Sequence, residues 1–136
     1  MTDSDIAGRR ILVVEDETLI AMEIEATLEA LGCEIVGPVG TLETALQLAR
    51  EMTLDAAILD VTIRGGKSYS VANELLSRDI PFALASGYGD WALPEAMRDC
   101  PRLTKPFTTA ELEKQVRLLC DEATRCKYAT ERASDA

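Results

Sequence analysis

Short apolar runs alternate with amphipathic stretches along this chain. Ile11-Leu12-Val13-Val14 is an unbroken apolar run that stops at Glu15-Asp16. From Glu17 the period changes. Ile20, Ile24, Leu28 and Leu31 recur on one helical face while Glu23, Glu25 and Glu29 point elsewhere, and Gly32 is placed to end the helix. Glu34-Ile35-Val36 reads as a short strand. A second helix runs from about Leu42 to Met52, with Leu42, Ala45, Leu46 and Ala49 on its inner face. The run Asp55-Ala56-Ala57-Ile58-Leu59-Asp60 again ends in an acid, Gly65-Gly66 breaks the pattern, and a third helix reaches from Ser68 or Tyr69 to Ser77. Pro81-Phe82-Ala83-Leu84-Ala85 ends at Ser86-Gly87, a brief helix is expected over Trp91 to Met97, and Arg102-Leu103-Thr104 leads into Lys105-Pro106. Thr108-Thr109-Ala110-Glu111 has the capping-box spacing that opens a helix, whose inner stripe is Leu112, Val116, Leu119 and Ala123. The polar stretch from Lys127 to Ala136 is expected to fray.

Strand-helix alternation of this kind means parallel strands joined by helical crossovers, and apolar runs without alternation suit strands covered on both faces. The expected fold class is α/β, a doubly wound five-stranded parallel sheet with flanking helices. Ligands of such sheets bind outside the carboxyl ends of the strands. The residues that end the runs are therefore the place to look for chemistry.

Those residues are Glu15 and Asp16 after the first strand, Asp60 after the third, Ser86 after the fourth and Lys105 after the fifth. Two carboxylates about 4 Å apart repel by roughly 4 kcal/mol at an effective dielectric near 20, so three acids and one lysine call for a further cation. A hard divalent ion with oxygen ligands fits, and the small acidic set suits Mg²⁺. The constellation points to metal-assisted phosphoryl chemistry. Asp60 lies between the acidic pair and the Ser86/Lys105 pair in strand order, which makes it the candidate nucleophile. Glu15 and Asp16 would hold the metal with Asp60 and the backbone carbonyl of Thr62. Ser86 and Lys105 would grip phosphoryl oxygens by hydrogen bond and charge.

Composition narrows the field. The 136 residues suit one domain, and no apolar run is long enough to span a membrane. Fourteen basic against 24 acidic residues give a formal net charge of −10, which argues against a nucleic-acid ligand. The acidic start Met1-Thr2-Asp3-Ser4-Asp5 does not have the layout of a secretory signal, so a cytoplasmic location is expected. The sequence has no histidine, which excludes Ser-His-Asp and Cys-His catalysis, His-ligated metals and any phosphohistidine of its own. Cys33, Cys100, Cys120 and Cys126 form no CxxC pair and read as reduced cysteines.

Taken together, Val13-Val14-Glu15-Asp16-Glu17, Ile58-Leu59-Asp60-Val61, Ala85-Ser86-Gly87 and Leu103-Thr104-Lys105-Pro106-Phe107 resemble, in order and spacing, the receiver domain of a two-component response regulator. The resemblance implies a flavodoxin-like receiver fold with strand order 2-1-3-4-5. It places the domain over 10–123, with residues 1–9 as a tail and 124–136 as the helix end and a second tail. It further implies a phosphoacceptor protein, not an enzyme acting on other molecules. On this view Asp60 takes its phosphoryl group, with Mg²⁺, from a histidine kinase or phosphotransfer protein. Signalling would pass by protein binding to a downstream partner, or the chain would drain a kinase as a phosphate sink. The first and last helices are the partner surface by the same analogy. Leu84-Ala85-Ser86-Gly87-Tyr88-Gly89 is similar to a receiver subfamily with a Phe-Ala-Thr-Gly-Tyr-like segment. Where many receivers carry a switching aromatic, this chain has Arg102, so Tyr88 and the segment around Trp91 are the alternative switch candidates.

Three rival readings have their own signatures. Gly66-Lys67-Ser68 looks like the end of a phosphate-binding P-loop, but the motif needs Gly where Val61 stands. A dehalogenase-like phosphatase would want an acid at the position of Thr62. A degenerate receiver used only as a scaffold would lack one or more of the five strand-end residues, all of which are present.

Overall fold

The computed structural model describes residues 6–87 and 100–121. The segment containing Tyr88, Trp91 and the expected helix to Met97, and the tail with Cys126, lie outside the described residues. The elements, in chain order, are β1 (Arg10–Val14), α1 (Thr18–Ala30), β2 (Glu34–Val39), α2 (Leu42–Glu51), β3 (Ala56–Asp60), β4 (Thr62–Ile63), β5 (Gly66–Lys67), α3 (Tyr69–Ser77), β6 (Phe82–Ser86), β7 (Arg102–Thr104) and α4 (Thr109–Cys120). The main sheet has five parallel strands in the order β2-β1-β3-β6-β7, the flavodoxin-like arrangement.

Each central strand sends alternate residues to two separate cores. Leu12, Val14, Ala57, Leu59, Phe82 and Leu84 meet the inner faces of α2 and α3, including Ala45, Ala49, Val71 and Leu75. Ile11, Val13, Ile58, Ala83 and Ala85 meet α1 and α4 through Ile24, Leu28, Leu112, Val116 and Leu119. Burial on both faces explains why these strands read as continuous apolar runs. Among the described residues no helix is long and apolar enough to cross a membrane.

Three local features differ from the sequence expectation. Packing begins upstream of residue 10: Ile6 is buried in the α1/α4 core, and its carbonyl accepts a bond from the Cys33 thiol. Strand β2 continues past Val36 through Gly37 and Pro38 to Val39. It is an edge strand, where a proline costs no ladder bond, and Gly37 at φ +103° absorbs the accompanying register shift. Finally, the Gly65-Gly66 break belongs to a small antiparallel hairpin that turns at Arg64-Gly65 and pairs Thr62 with Lys67 and Ile63 with Gly66. Gly65 takes φ +101° in that turn.

The hairpin also settles the geometry of the P-loop-like fragment. Gly66 and Lys67 form a strand, and Lys67 Nζ donates to Thr62 Oγ1 at 2.8 Å.

Candidate functional site

The strand ends meet at one edge of the sheet. Glu15 follows β1 directly, and its amide donates to the Val39 carbonyl of β2 at 2.9 Å. One of its carboxylate oxygens, Oε2, accepts from the Glu17 amide at 3.0 Å. The other, Oε1, lies 2.8 Å from Lys105 Nζ, an ion pair rather than an aligned hydrogen bond. Asp60 closes β3, and its Oδ2 is 3.2 Å from the same ammonium. Both carboxylates are buried, with side chains 1% and 8% exposed for Glu15 and Asp60. Asp16 is half-buried beside them, and Glu15, Asp16 and Asp60 each offer a carboxylate oxygen within 4.8 Å of the others.

Lys105 is delivered by the turn after β7. Its amide donates to the Ser86 carbonyl at 2.8 Å. The chain then enters α4 through a reciprocal capping box: Thr108 Oγ1 accepts from the Glu111 amide at 3.0 Å, and Glu111 Oε1 accepts from the Thr108 amide at 2.8 Å. That cap fixes where the helix starts, and so where the preceding turn can run. Ser86, the last residue of β6, is buried one step beyond Ala85, the register partner of Asp60. Arg102 is exposed, paired across the sheet with Leu84.

An open cleft of about 430 Å³ covers this edge, lined by Asp16, Glu17, Asp60, Thr62, Gly87 and Lys105. Its electrostatics are unbalanced. Burial pushes the Asp60 carboxyl up to about 7, the Glu15 charge adds to the effect, and Lys105 only partly opposes it. Burial also works against the Lys105 ammonium, but Glu15 and Asp60 outweigh it, so its pKa lies above the ordinary lysine value. Three acids against one lysine leave a surplus of negative charge on oxygen donors, a set that fits a hard divalent cation such as Mg²⁺.

Two supports of this site carry no obvious sequence signal. The Glu17 amide holds Glu15 in place, and the β4–β5 hairpin presents Thr62 to the cleft. The dipeptide Gly65-Gly66 was the only trace of the second.

A doubly wound sheet with clustered acids and a lysine at its carboxyl edge defines a receiver, and the chain belongs to that family. The family model described as the response regulator receiver domain matches residues 11–117. Among curated proteins, the chain is similar to the transcriptional regulatory protein PdtaR of Mycobacterium tuberculosis, 34% identical over 122 residues. That match covers 86% of this chain and 60% of PdtaR, so the chain spans only about three fifths of that relative. Among solved structures, SdrG from Sphingomonas melonis Fr1 matches with a TM-score of 0.73 at 45% identity, covering 86% of this chain and 98% of SdrG. TrrA from Thermotoga maritima, solved in complex with Mg²⁺-BeF, matches with a TM-score of 0.72 at 28% identity, covering 82% of this chain and 98% of TrrA.

Proposed function

We propose that Asp60 is the phosphoacceptor of this receiver domain, that the domain works in the cytoplasm, and that its phosphodonor is a histidine kinase or phosphotransfer protein. The observation that carries this reading is the clustering of Asp60 with Glu15 and Asp16, and its contact with the Lys105 ammonium, in the lining of an open cleft. A histidine donor would lie outside this sequence, which contains no histidine.

In the reaction, an Asp60 carboxylate oxygen attacks the phosphorus of a phosphorylated imidazole. The new O–P bond forms as the N–P bond breaks, and the leaving imidazole nitrogen takes up a proton. Asp16 and Asp60, with Glu15 as the third acid and the Thr62 carbonyl, would hold Mg²⁺. The ion supplies positive charge for the phosphoryl oxygens. Lys105 would supply fixed positive charge to the phosphoryl oxygens, and the Ser86 hydroxyl would donate a hydrogen bond to one of them. The Mg²⁺-BeF complex of TrrA supports the same chemistry here.

The phosphorylated domain would then signal through protein contacts. Helices α1 and α4 pack side by side, and α1 leaves Leu19 and Met22 exposed close to Glu17 at the cleft wall. This is the surface we assign to the donor. Tyr88 and Trp91, next in sequence after the cleft residue Gly87, are the switch candidates. The reading is tested by incubating the chain with acetyl phosphate and Mg²⁺ and following its intact mass. A single phosphoryl adduct is expected on the wild type and none on Asp60→Asn. Absence of the adduct with acetyl phosphate and with a phosphorylated histidine donor would overturn it.

A further inference from the structure

One glycine outside the four strand ends of the site stands directly against a cleft acid. Gly40 lies between β2 and α2, and a methyl group built on it would stand 3.0 Å from Asp16 Cα and 3.1 Å from Asp16 Cβ. Gly37 and Gly65 have positive φ, which explains glycine at those positions, but Gly40 does not share it. The Gly40 φ lies outside the left-handed range that favours glycine. What the position requires is empty space next to Asp16.

The surrounding bonds decide which partner would yield to a larger residue. Just before Gly40, the Val39 carbonyl is tied to the Glu15 amide at 2.9 Å. Just after it, the Leu42 amide donates to the Arg64 carbonyl at 2.9 Å, and the Arg64 amide donates to the Gly40 carbonyl at 3.2 Å. Arg64 is the first turn residue of the hairpin that presents Thr62. The two bonds of Arg64 thus tie Gly40 and its successors to the hairpin, a hold that Asp16, in the loop between β1 and α1 with its carboxylate facing the cleft, does not share. A side chain at position 40 would displace Asp16 by a few tenths of an ångström.

We propose that Gly40 is a positioning residue for the metal-holding cleft: its missing side chain sets how closely Asp16 approaches Asp60 and Thr62. This rests on the reading that the acidic cluster takes Mg²⁺. Mg²⁺ demands near-ideal octahedral geometry, whereas Ca²⁺ accepts irregular and variable coordination. A small shift of one ligand should therefore penalise Mg²⁺ selectively.

The experiment titrates Mg²⁺ and Ca²⁺ separately into the full chain and its Gly40→Ala variant, following backbone amide resonances by NMR. The Mg²⁺ Kd of the variant should rise about tenfold, the scale of outer-sphere changes at metal sites. The Ca²⁺ Kd should change less than about twofold. In the metal-free spectra, shifts should be confined to residues near Asp16 and Gly40. Equal losses for the two ions, or an unchanged Mg²⁺ Kd, would overturn the proposal. So would a variant without a dispersed spectrum, because the displacement would then not be local. A wild-type chain that takes up no Mg²⁺ overturns the metal reading and this inference together. Equal Mg²⁺ binding by both chains overturns this inference alone.

Discussion

Lys105 is held nearer to Glu15, at 2.8 Å, than to Asp60, at 3.2 Å. A single ammonium therefore bridges acids that follow two neighbouring strands, and Glu15 takes the tighter contact. This leaves the Asp60 charge incompletely neutralised, in keeping with its raised pKa. Glu15 thus has two effects on Asp60: its charge repels the carboxylate, and it competes for the lysine.

Removing that ammonium should be costly. Lys105→Met leaves two buried carboxylates facing each other without a cation. We expect the metal-free protein at pH 8 to lose about 2–4 kcal/mol, at or below the usual cost of breaking a buried pair because Asp60 can take up a proton. Urea denaturation measures this. Asp60→Asn should stabilise the Lys105→Met protein by more than it stabilises the wild type, and equal effects in the two backgrounds would contradict the bridging role.

The raised Asp60 pKa predicts a particular dependence on pH. The folded value, about 7, lies above the ordinary aspartate value of 3.8, so its contribution is fully present below about pH 4 and is lost as pH rises through 7. The metal-free wild type should lose roughly 2–4 kcal/mol relative to Asp60→Asn across that window, with most of the coupling to Glu15 included in the range. Thermal melts of both chains between pH 4 and 8, with chelator present, check it. A constant difference between the two would contradict the assignment.

Mg²⁺ should show the opposite trend. Binding needs the ionised Asp60 carboxylate, so affinity should climb as pH rises through about 7 and then level off. Isothermal titration at several pH values tests this. An affinity independent of pH between 6 and 8 would place the ion elsewhere.

The turn that carries Lys105 depends on the α4 cap. Thr108→Ala removes the hydroxyl that accepts the Glu111 amide, and should cost about 1 kcal/mol of stability. Thr108→Ser should retain most of it. Chemical denaturation of both variants separates loss of the cap from loss of the threonine methyl.

Much of the architecture could be read from the chain because burial on two faces writes apolar runs. Ile11 to Val14 and Ala56 to Leu59 both read that way, and each ends at the polar residue now found at the sheet edge. The capping box at Thr108 is a local signal and was equally visible. The rest is set by contacts between distant segments. Ile6 is a lone apolar residue in a polar stretch and shows no period, yet it fills the core beside Cys33. Pro38 hid the end of β2, because its tolerance there depends on the strand being at an edge. The strand-end pattern suggested which side chains could meet, but not that Glu15 has both carboxylate oxygens engaged, nor that Gly40 abuts Asp16.

The central claim is that Asp60, and no other residue, takes the phosphoryl group. Its most direct test is to phosphorylate the chain in the presence of Mg²⁺, reduce the product with borohydride and map it by peptide mass spectrometry. An acyl phosphate is converted by that reduction to an alcohol, so position 60 should appear as homoserine in the treated wild type only. Homoserine at another aspartate, or an unmodified Asp60 in a chain that has gained phosphate, would contradict the account.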